Sequence, residues 1–238
     1  MVAIGAVGSG VRSAARADPA YPAGLARLAD PPPTLWWRGR LPDPGERRVT
    51  VVGSRVIIPW GRWAARAVTT SLAESEASIV SGLARGVDTV AHRVALESGV
   101  RTYGVLGCGV DVPSPAANRR LAEAFVSAGG GLIAERPPGS VAYAKALVAR
   151  CRLQAALSEA VVVVQTDDAS RTLFTADAAL RLGIPLVVVR PPRSVAAHPA
   201  VRGNRDLLRR ADLAIDGSSA ESVHAGVSQL LAGLPPRR

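Results

Sequence analysis

The chain has 238 residues, of which 48% are hydrophobic and 20% are charged, proportions that are typical of a globular protein and exclude a disordered one. Lysine and arginine number 29 against 19 aspartate and glutamate residues, which gives a formal net charge of +10 and favours a polyanionic partner. The two cysteines form no CxxC pair, and no apolar run approaches the roughly 18 residues of a membrane helix, so we expect a cytoplasmic protein without membrane contact, signal peptide, metal or cofactor.

Two kinds of segment follow one another along the chain. Residues 1–48 are rich in proline and glycine and predict an N-terminal extension, with Leu35-Trp36-Trp37 as a short strand at a sheet edge. From residue 49 onward, β-branched runs predict strands at 49–53, 78–82, 102–107, 131–135, 160–165 and 185–190. Amphipathic segments predict helices over 61–75, 89–98, 116–128, 143–157 and 170–182, and two short helices over 204–210 and 220–231.

This alternation of strands and helices predicts the fold class. Strand–helix repeats of this length are typical of an α/β protein with a doubly wound, mostly parallel sheet, which is the Rossmann-like architecture. We assign residues 49–213 to this core and residues 214–238 to a C-terminal helix with a frayed tail.

Small and polar residues follow the first strand of the predicted core. In an open parallel sheet, ligands bind beyond the carboxyl ends of the strands, and Gly53, Ser54 and Arg55 occupy such a position. Glycine lets a ligand approach the backbone, while the serine hydroxyl and the arginine fork can donate hydrogen bonds to phosphate oxygens. We therefore predict a phosphate-binding loop here; a turn with a solvated arginine is the alternative.

The second core strand is followed by a similar loop. Ser81 and Gly82 precede a helix, so their backbone N–H groups are candidates for an anion nest, with an ordinary helix N-terminal turn as the alternative. We expect Asp88 to cap that helix or to pair with Arg85, and His92 to be a packed, hydrogen-bonded side chain rather than a general base. Neither loop contains GxGxxG or a Walker A lysine, which argues against dinucleotide binding and nucleoside triphosphate hydrolysis.

Longer motifs carry a family resemblance. The chain contains, in order, YP at 21–22, VVGSR at 51–55, IVSGLARGVD at 79–88, VLGCGVD at 105–111 and GN at 203–204. Over about residues 21–213 these runs resemble the DNA-processing protein A (DprA/Smf) family. The resemblance implies an extended Rossmann fold that binds single-stranded DNA in a basic pocket, without chemistry of its own. It further implies a homodimer that helps to load the recombinase RecA during natural transformation.

The resemblance also implies which residues contact DNA. The predicted DNA- or phosphate-binding residues are Gly53, Ser54, Arg55, Ser81, Gly82, Arg150, Arg152 and Arg171. The chain departs from the family pattern where Leu147 replaces an aromatic residue that would stack on a base and where Cys151 replaces an asparagine. A stacked base contributes roughly 1–3 kcal/mol, so we expect weaker base contact. The chain resembles a divergent member of the family that consists of the core alone.

Two other functions stay open at this stage. The same superfamily resemblance extends to LOG-type phosphoribohydrolases, which cleave the N-glycosidic bond of nucleotides with a glycine-rich loop and a glutamate. The corresponding turn at 168–173 has neither, although Asp167 and Asp168 keep a nucleotide-binding or hydrolytic role open. A degenerate paralogue that pairs with a full-length relative is the third possibility.

Overall fold

The computed structural model describes residues 10–236, and these residues contribute to a nine-stranded sheet. The strands are β1 (Val11–Ala15), β2 (Thr34–Gly39), β3 (Arg48–Val52), β4 (Ser78–Ser81), β5 (Thr102–Leu106), β6 (Gly131–Ala134), β7 (Ala160–Val163), β8 (Leu186–Arg190) and β9 (Leu213–Asp216). Their order across the sheet is β1-β2-β6-β5-β4-β3-β7-β8-β9. The seven strands from β6 to β9 in that order are parallel, while β1 and β2 are antiparallel to their neighbours. The predicted doubly wound, mostly parallel sheet is confirmed.

Helices connect the parallel strands and cover both faces of the sheet. They are α1 (Pro59–Glu74), α2 (Val87–Glu97), α3 (Arg119–Ser127), α4 (Ala144–Ala149), α5 (Cys151–Ala156), α6 (Thr172–Leu182), α7 (Arg202–Leu207) and α8 (Ala220–Gly233), with 3-10 turns at Ala23–Arg27, Ala116–Asn118 and Pro199–Val201. Helices α1, α2 and α8 pack on one face, and α5, α6 and α7 on the other. None of these helices within residues 10–236 has the length and apolar character needed to cross a membrane.

Successive residues of β7 show how the core is divided between the two faces. Val162 packs with α1, α2 and α8, whereas Val161 and Val163 pack with α5 and α6. Side chains alternate across a strand, so a strand that is covered on both faces is apolar at every position. This two-sided burial explains why the continuous Val and Ile runs predict the central strands well.

Local sequence signals fix the start or end of three helices. Proline occupies the first position of α1, where its missing N–H leaves no hydrogen bond unmade. α6 ends at Gly183, which adopts the left-handed conformation with φ of +63°. The Ser219 side chain accepts a hydrogen bond from the Ser222 amide and caps α8.

The structure differs from the predicted elements at both ends of the sheet. The Leu35–Trp37 strand is part of β2, but it lies inside the edge because β1 pairs with its outer side. β9 was not predicted; it pairs with β8, and the predicted boundary after residue 213 falls within it. The sheet therefore continues into both terminal segments. Predictions for residues 1–9 and for the last two residues of the tail lie outside the described residues.

The predicted helix over 143–157 is divided into α4 and α5 at Arg150. The Leu153 amide and the Gln154 amide both donate to the Arg150 carbonyl, at 2.9 and 3.2 Å. This mixture of i+3 and i+4 hydrogen bonds is typical of a local tightening of the helix. The junction lies beside the carboxyl end of β4, because the Arg150 side chain donates to the carbonyl of Gly82, which follows that strand.

Candidate functional site

A cavity of about 430 Å³ opens at the carboxyl ends of β3 and β7. The strand order reverses at β3, because β4 lies on one side of it and β7 on the other. The chain leaves β3 for α1 on one face and leaves β7 for α6 on the opposite face. Two loops that diverge in this way leave a crevice, which is the usual ligand site of a doubly wound sheet.

Four of the eight predicted binding residues line this cavity: Gly53, Arg55, Arg150 and Arg171. Gly53 and Arg55 come from the loop after β3, and Arg171 comes from the loop after β7. Arg150, at the junction of α4 and α5, forms part of the wall. Ser54, Ser81, Gly82 and Arg152 are not among the described lining residues, and each has a different environment.

The two arginines contributed by the loops are available to a ligand. Arg55 is exposed and Arg171 is half-buried. Within residues 10–236, neither has a carboxylate within 4 Å of its guanidinium. Partial burial lowers the pKa of Arg55, and the positive charges of Arg171 and Arg150 lower it further. Asp88, which lies 4.0 Å from Arg150, opposes this shift. Arg55 and Arg171 are like charges without a carboxylate within 4 Å in residues 10–236, an arrangement that favours a bound anion.

Arg150 is fixed by backbone carbonyls. Its side chain is buried, and one terminal nitrogen donates to the carbonyl oxygens of Gly82 and, at 2.6 Å, Val105. The other terminal nitrogen lies 4.0 Å from the carboxylate of Asp88. Its Nε has no hydrogen-bond partner in the described part of the chain. Arg150 therefore supplies a rigid positive charge to the cavity wall.

The loop after β4 does not offer the predicted open anion nest. The amides of Gly82 and Ala84 both donate to one carboxylate oxygen of Asp88, each at 3.1 Å. The amide of Leu83 donates to His92 Nε2 at 3.3 Å. Asp88 is buried, and burial raises the pKa of its carboxyl group while Arg150 opposes that shift. This corrects the prediction for Gly82, because Asp88 already occupies the amides that an anion would need.

The two predicted serines also have structural partners. The Ser81 hydroxyl donates to the Val51 carbonyl at 2.7 Å, between adjacent strands. The Ser54 hydroxyl donates to Asp167 at 3.0 Å, and the Asp167 amide donates back to the Ser54 oxygen at 3.3 Å. These bonds tie the loop after β3 to the loop after β7. Both serines therefore stabilise the backbone around the cavity without lining it.

Arg152 lies away from the cavity. It forms ion pairs with Asp30 at 3.0 Å and with Glu135 at 2.7 Å. Residues two positions apart on a helix point in different directions, so Arg150 and Arg152 cannot both face one ligand. Arg152 joins α5 to the N-terminal segment and to the loop after β6, which corrects its predicted place in the site.

His92 is packed and hydrogen-bonded, as predicted. The Leu83 amide donates to its Nε2, so that nitrogen carries no proton. The Thr102 hydroxyl donates to the Ile79 carbonyl, and therefore accepts from Nδ1 of His92 at 2.7 Å. Burial, assisted by the charge of Arg150, lowers the pKa of His92 to about 3. A histidine held neutral in this way is a poor base at neutral pH.

The carboxylates near the cavity are engaged in structural contacts. Asp167 accepts from Ser54 and from the Ala169 amide, at 3.0 Å each. Asp168 is exposed and lies 4.0 Å from Arg202. Within residues 10–236, no group of three histidine, cysteine, aspartate or glutamate side chains is placed to hold a metal ion.

Sequence reasoning missed Gln154 as a member of the wall. Its side chain is only 1% exposed, and its Nε2 has no hydrogen-bond partner among the described residues. The available signal was a lone amide between Leu153 and Ala155 in α5. Leu147 and Cys151, which were singled out as departures from the family pattern, line the same cavity.

Comparisons with known proteins agree with this architecture. The sequence profile of a family described as DNA recombination-mediator protein A matches residues 12–224. DNA processing protein DprA of Streptococcus pneumoniae is 36% identical over 166 residues, which cover 70% of this chain and 58% of that protein. The X-ray structure of DprA from the same species has a TM-score of 0.80 at 30% identity and covers 94% of this chain and 74% of that chain.

A second solved structure is that of DprA from Helicobacter pylori, and its subject is the single-stranded DNA binding mode of that protein. It has a TM-score of 0.75 at 25% identity and covers 90% of this chain and 94% of that chain. The chain spans about half the length of the curated relatives it matches, with shares from 41% to 58%. On the profile match and these identities, the chain belongs to the DNA recombination-mediator protein A family.

Proposed function

We propose that this chain binds single-stranded DNA in DNA processing or recombination, and that Arg55 and Arg171 contact the phosphates at the mouth of the cavity. The observation that carries the proposal is the pair of loop arginines on either side of the crevice between β3 and β7, neither of which has a carboxylate within 4 Å in the part of the chain that the structure describes. Arginine forks bind phosphate oxygens in a bidentate manner. The net charge of +10 and the family membership support the same ligand.

The shape of the site favours an unpaired strand over a duplex. A cavity of about 430 Å³ falls in the range of small-ligand pockets and is large enough for one nucleotide. A nucleotide enters such a cavity only when it is free of base pairing and stacking. The DprA structure from Helicobacter pylori, which concerns single-stranded DNA binding, has the same fold and supports this choice.

The direct test is fluorescence anisotropy with labelled oligo-dT in dilute buffer. We expect a Kd of about one micromolar or below, and a loss of affinity of at least about tenfold in the Arg55→Ala/Arg171→Ala variant. Arg93→Ala/Arg120→Ala is the matched control, because both arginines are exposed, lie outside the cavity lining and remove the same charge. Wild-type protein that ignores oligo-dT, or a double variant with unchanged affinity, would contradict the proposal.

We propose no chemical step at this site. The lining carboxylates of Asp88 and Asp167 each accept two hydrogen bonds from the protein, which supports a structural role for both groups. Incubation with nucleoside monophosphates is therefore expected to release no free base. Release that depends on Asp167 would favour the phosphoribohydrolase alternative instead.

We propose in addition that the protein acts as a homodimer and delivers the bound strand to a RecA-type recombinase. The family description as a recombination mediator supports this role. Light scattering after size-exclusion chromatography measures the mass in solution, and a dimer is expected. Recombinase ATPase activity on single-stranded DNA that is coated with a single-strand binding protein measures loading, which we expect this protein to accelerate.

A further inference from the structure

Cys151 is a free thiol on the wall of the cavity. It is the first residue of α5 and is buried, but it lines the cavity together with Arg55 and Arg171. Its Sγ donates weakly to the Leu147 carbonyl at 3.5 Å and lies 3.9 Å from the carbonyl oxygen of Arg171, in the loop after β7. The sulfur therefore lies between α5 and the loop that supplies one of the two arginines of the cavity mouth.

A second group on α5 lacks a partner in the same cavity. Gln154 lies three residues after Cys151, and residues at this spacing are neighbours on one face of a helix. Its buried Nε2 has no hydrogen-bond partner among the described residues, while its Oε1 accepts from the Thr175 hydroxyl at 3.4 Å. Buried donors are paired in the large majority of cases, because an unmade hydrogen bond costs the full desolvation of the group. An oxygen atom bonded to the Cys151 sulfur would place an acceptor on the same helix face as this donor.

The other cysteine has a different environment. Cys108 is buried in an apolar cluster with Leu106 and Phe125, and it is not among the residues that line the cavity. Burial raises the pKa of its thiol, and a buried thiol that stays protonated is a poor nucleophile. Of the two cysteines, Cys151 borders a space that a small oxidant can enter.

We propose that Cys151 is a site of reversible oxidation by hydrogen peroxide, and that its sulfenic acid weakens the binding of single-stranded DNA at the cavity. The Cys151 sulfur attacks one oxygen of the peroxide, so that an S–O bond forms and the O–O bond breaks. The sulfur is oxidised and the peroxide is reduced, because the departing hydroxide takes up the thiol proton and leaves as water. Hydrogen peroxide suits this site because it is small enough to reach a largely buried sulfur.

The oxygen added to Cys151 changes the groups that face the cavity. It accepts a hydrogen bond from Gln154 Nε2, and it competes with DNA phosphate for the forks of Arg55 and Arg171. Dithiothreitol reverses the change, since it is oxidised to its disulfide while the added oxygen leaves as water and the thiol returns. The effect on DNA rests on the proposed function, whereas the oxidation of Cys151 does not.

The test treats wild-type protein, Cys151→Ser and Cys108→Ala with dilute hydrogen peroxide. Dimedone, which reacts with sulfenic acids, is followed by peptide mass spectrometry to locate the oxidised residue, and we expect the label at Cys151 and not at Cys108. Anisotropy with oligo-dT should show a loss of affinity of about tenfold in wild-type protein and in Cys108→Ala, as for one charge-assisted hydrogen bond. Dithiothreitol should restore that affinity. Cys151→Ser should have the same affinity before and after peroxide.

The role of the amide is tested with Gln154→Leu. This variant lacks the donor that holds the added oxygen, so the same exposure to peroxide should leave less label at Cys151 than in wild-type protein. Equal labelling would overturn this role. Thermal unfolding checks the fold of each variant, and Cys151→Ala or Gln154→Met replaces one that does not fold.

The labelling and binding outcomes separate this inference from the proposed function. No label at Cys151, equal label at both cysteines, or a peroxide effect that persists in Cys151→Ser overturns the inference. Labelled wild-type protein with unchanged affinity, or a loss that dithiothreitol does not restore, overturns the reversible effect on DNA. Absence of oligo-dT binding before any treatment contradicts the proposed function, and the dimedone label then still decides whether Cys151 is oxidised.

Discussion

Asp88 and Arg150 are polar residues at the cavity whose contacts stabilise the folded protein. Asp88 accepts from two amides of the loop after β4, and Arg150 donates to the carbonyl of Gly82 in that loop and to the carbonyl of Val105 in β5. Removing either partner would leave the other charge buried, which is strongly destabilising. The pair therefore holds the loop in place and leaves Arg55 and Arg171 as the arginines that a ligand can approach.

His92 gives a prediction for stability against pH. Its pKa is lowered to about 3 in the folded protein, so the neutral form contributes stability above the unfolded pKa of 6.5, and that stability is lost as the pH falls towards 3. Between about pH 8 and about pH 5, the His92 contribution falls by about 2 kcal/mol. Urea unfolding of wild-type protein and His92→Gln at both pH values measures this difference.

The control for this experiment is His198→Gln. His198 is exposed and caps the 3-10 turn before α7, far in sequence from His92. This variant should keep the wild-type loss of stability at low pH, whereas His92→Gln should lose less. Equal pH dependence in wild-type protein and His92→Gln would show that the buried imidazole is not held neutral.

The loop between β4 and α2 connects the sheet to the cavity wall through one close contact. A Cβ atom built at Gly82 would overlap the guanidinium of Arg150. We expect Gly82→Ala to displace that guanidinium towards the cavity, with a loss of about 1–3 kcal/mol of unfolding free energy, as for overpacking. Binding of oligo-dT should weaken in the same variant. Urea unfolding and anisotropy measure the two effects.

Gly233→Ala is the matched control for Gly82→Ala. Gly233 is the last residue of α8, and a Cβ atom there meets nothing within 4 Å. The control should keep both stability and binding close to wild type. If Gly82→Ala also leaves stability and oligo-dT binding unchanged, then the close contact between Arg150 and Gly82 does not matter for the site.

The topology of the complete sheet decides where charge accumulates. Because the strand order reverses at β3, loops from distant parts of the chain bring Arg55 and Arg171 to one crevice. Single-stranded DNA releases counterions when its phosphates are neutralised, and log K falls by about 0.7 per contact for each unit of log salt. Removing both arginines should therefore reduce the magnitude of the salt slope by about 1.4.

The same binding series, repeated over a range of salt concentrations, measures this slope. Arg93→Ala/Arg120→Ala removes two charges elsewhere on the surface and should retain the wild-type slope. A slope that changes equally in both double variants would mean that only overall charge matters. It would leave the crevice without a specific role in phosphate contact.

Periodicity in the sequence predicts the central strands well and the outer strands poorly. The β7 run is apolar throughout and buried on both faces, so its strand is evident from neighbouring residues. β9 has four residues, of which only Ile215 is buried, and β1 alternates weakly. These outer strands form because an adjacent strand supplies hydrogen bonds, and the residues of the outer strand alone do not reveal that neighbour.

Motif order along the chain was sufficient for the fold class, the family and the loops that carry the site, because each of these is encoded in residues close together in sequence. Which donors remain free for a ligand depends on contacts between distant residues. Arg150 and Gly82 are 68 positions apart, and Arg152 meets Asp30 across 122. In the folded protein, the amides of the loop after β4 are hydrogen-bonded to Asp88 and His92, and Arg152 is ion-paired. Arg55, Arg171 and Gln154 line the cavity.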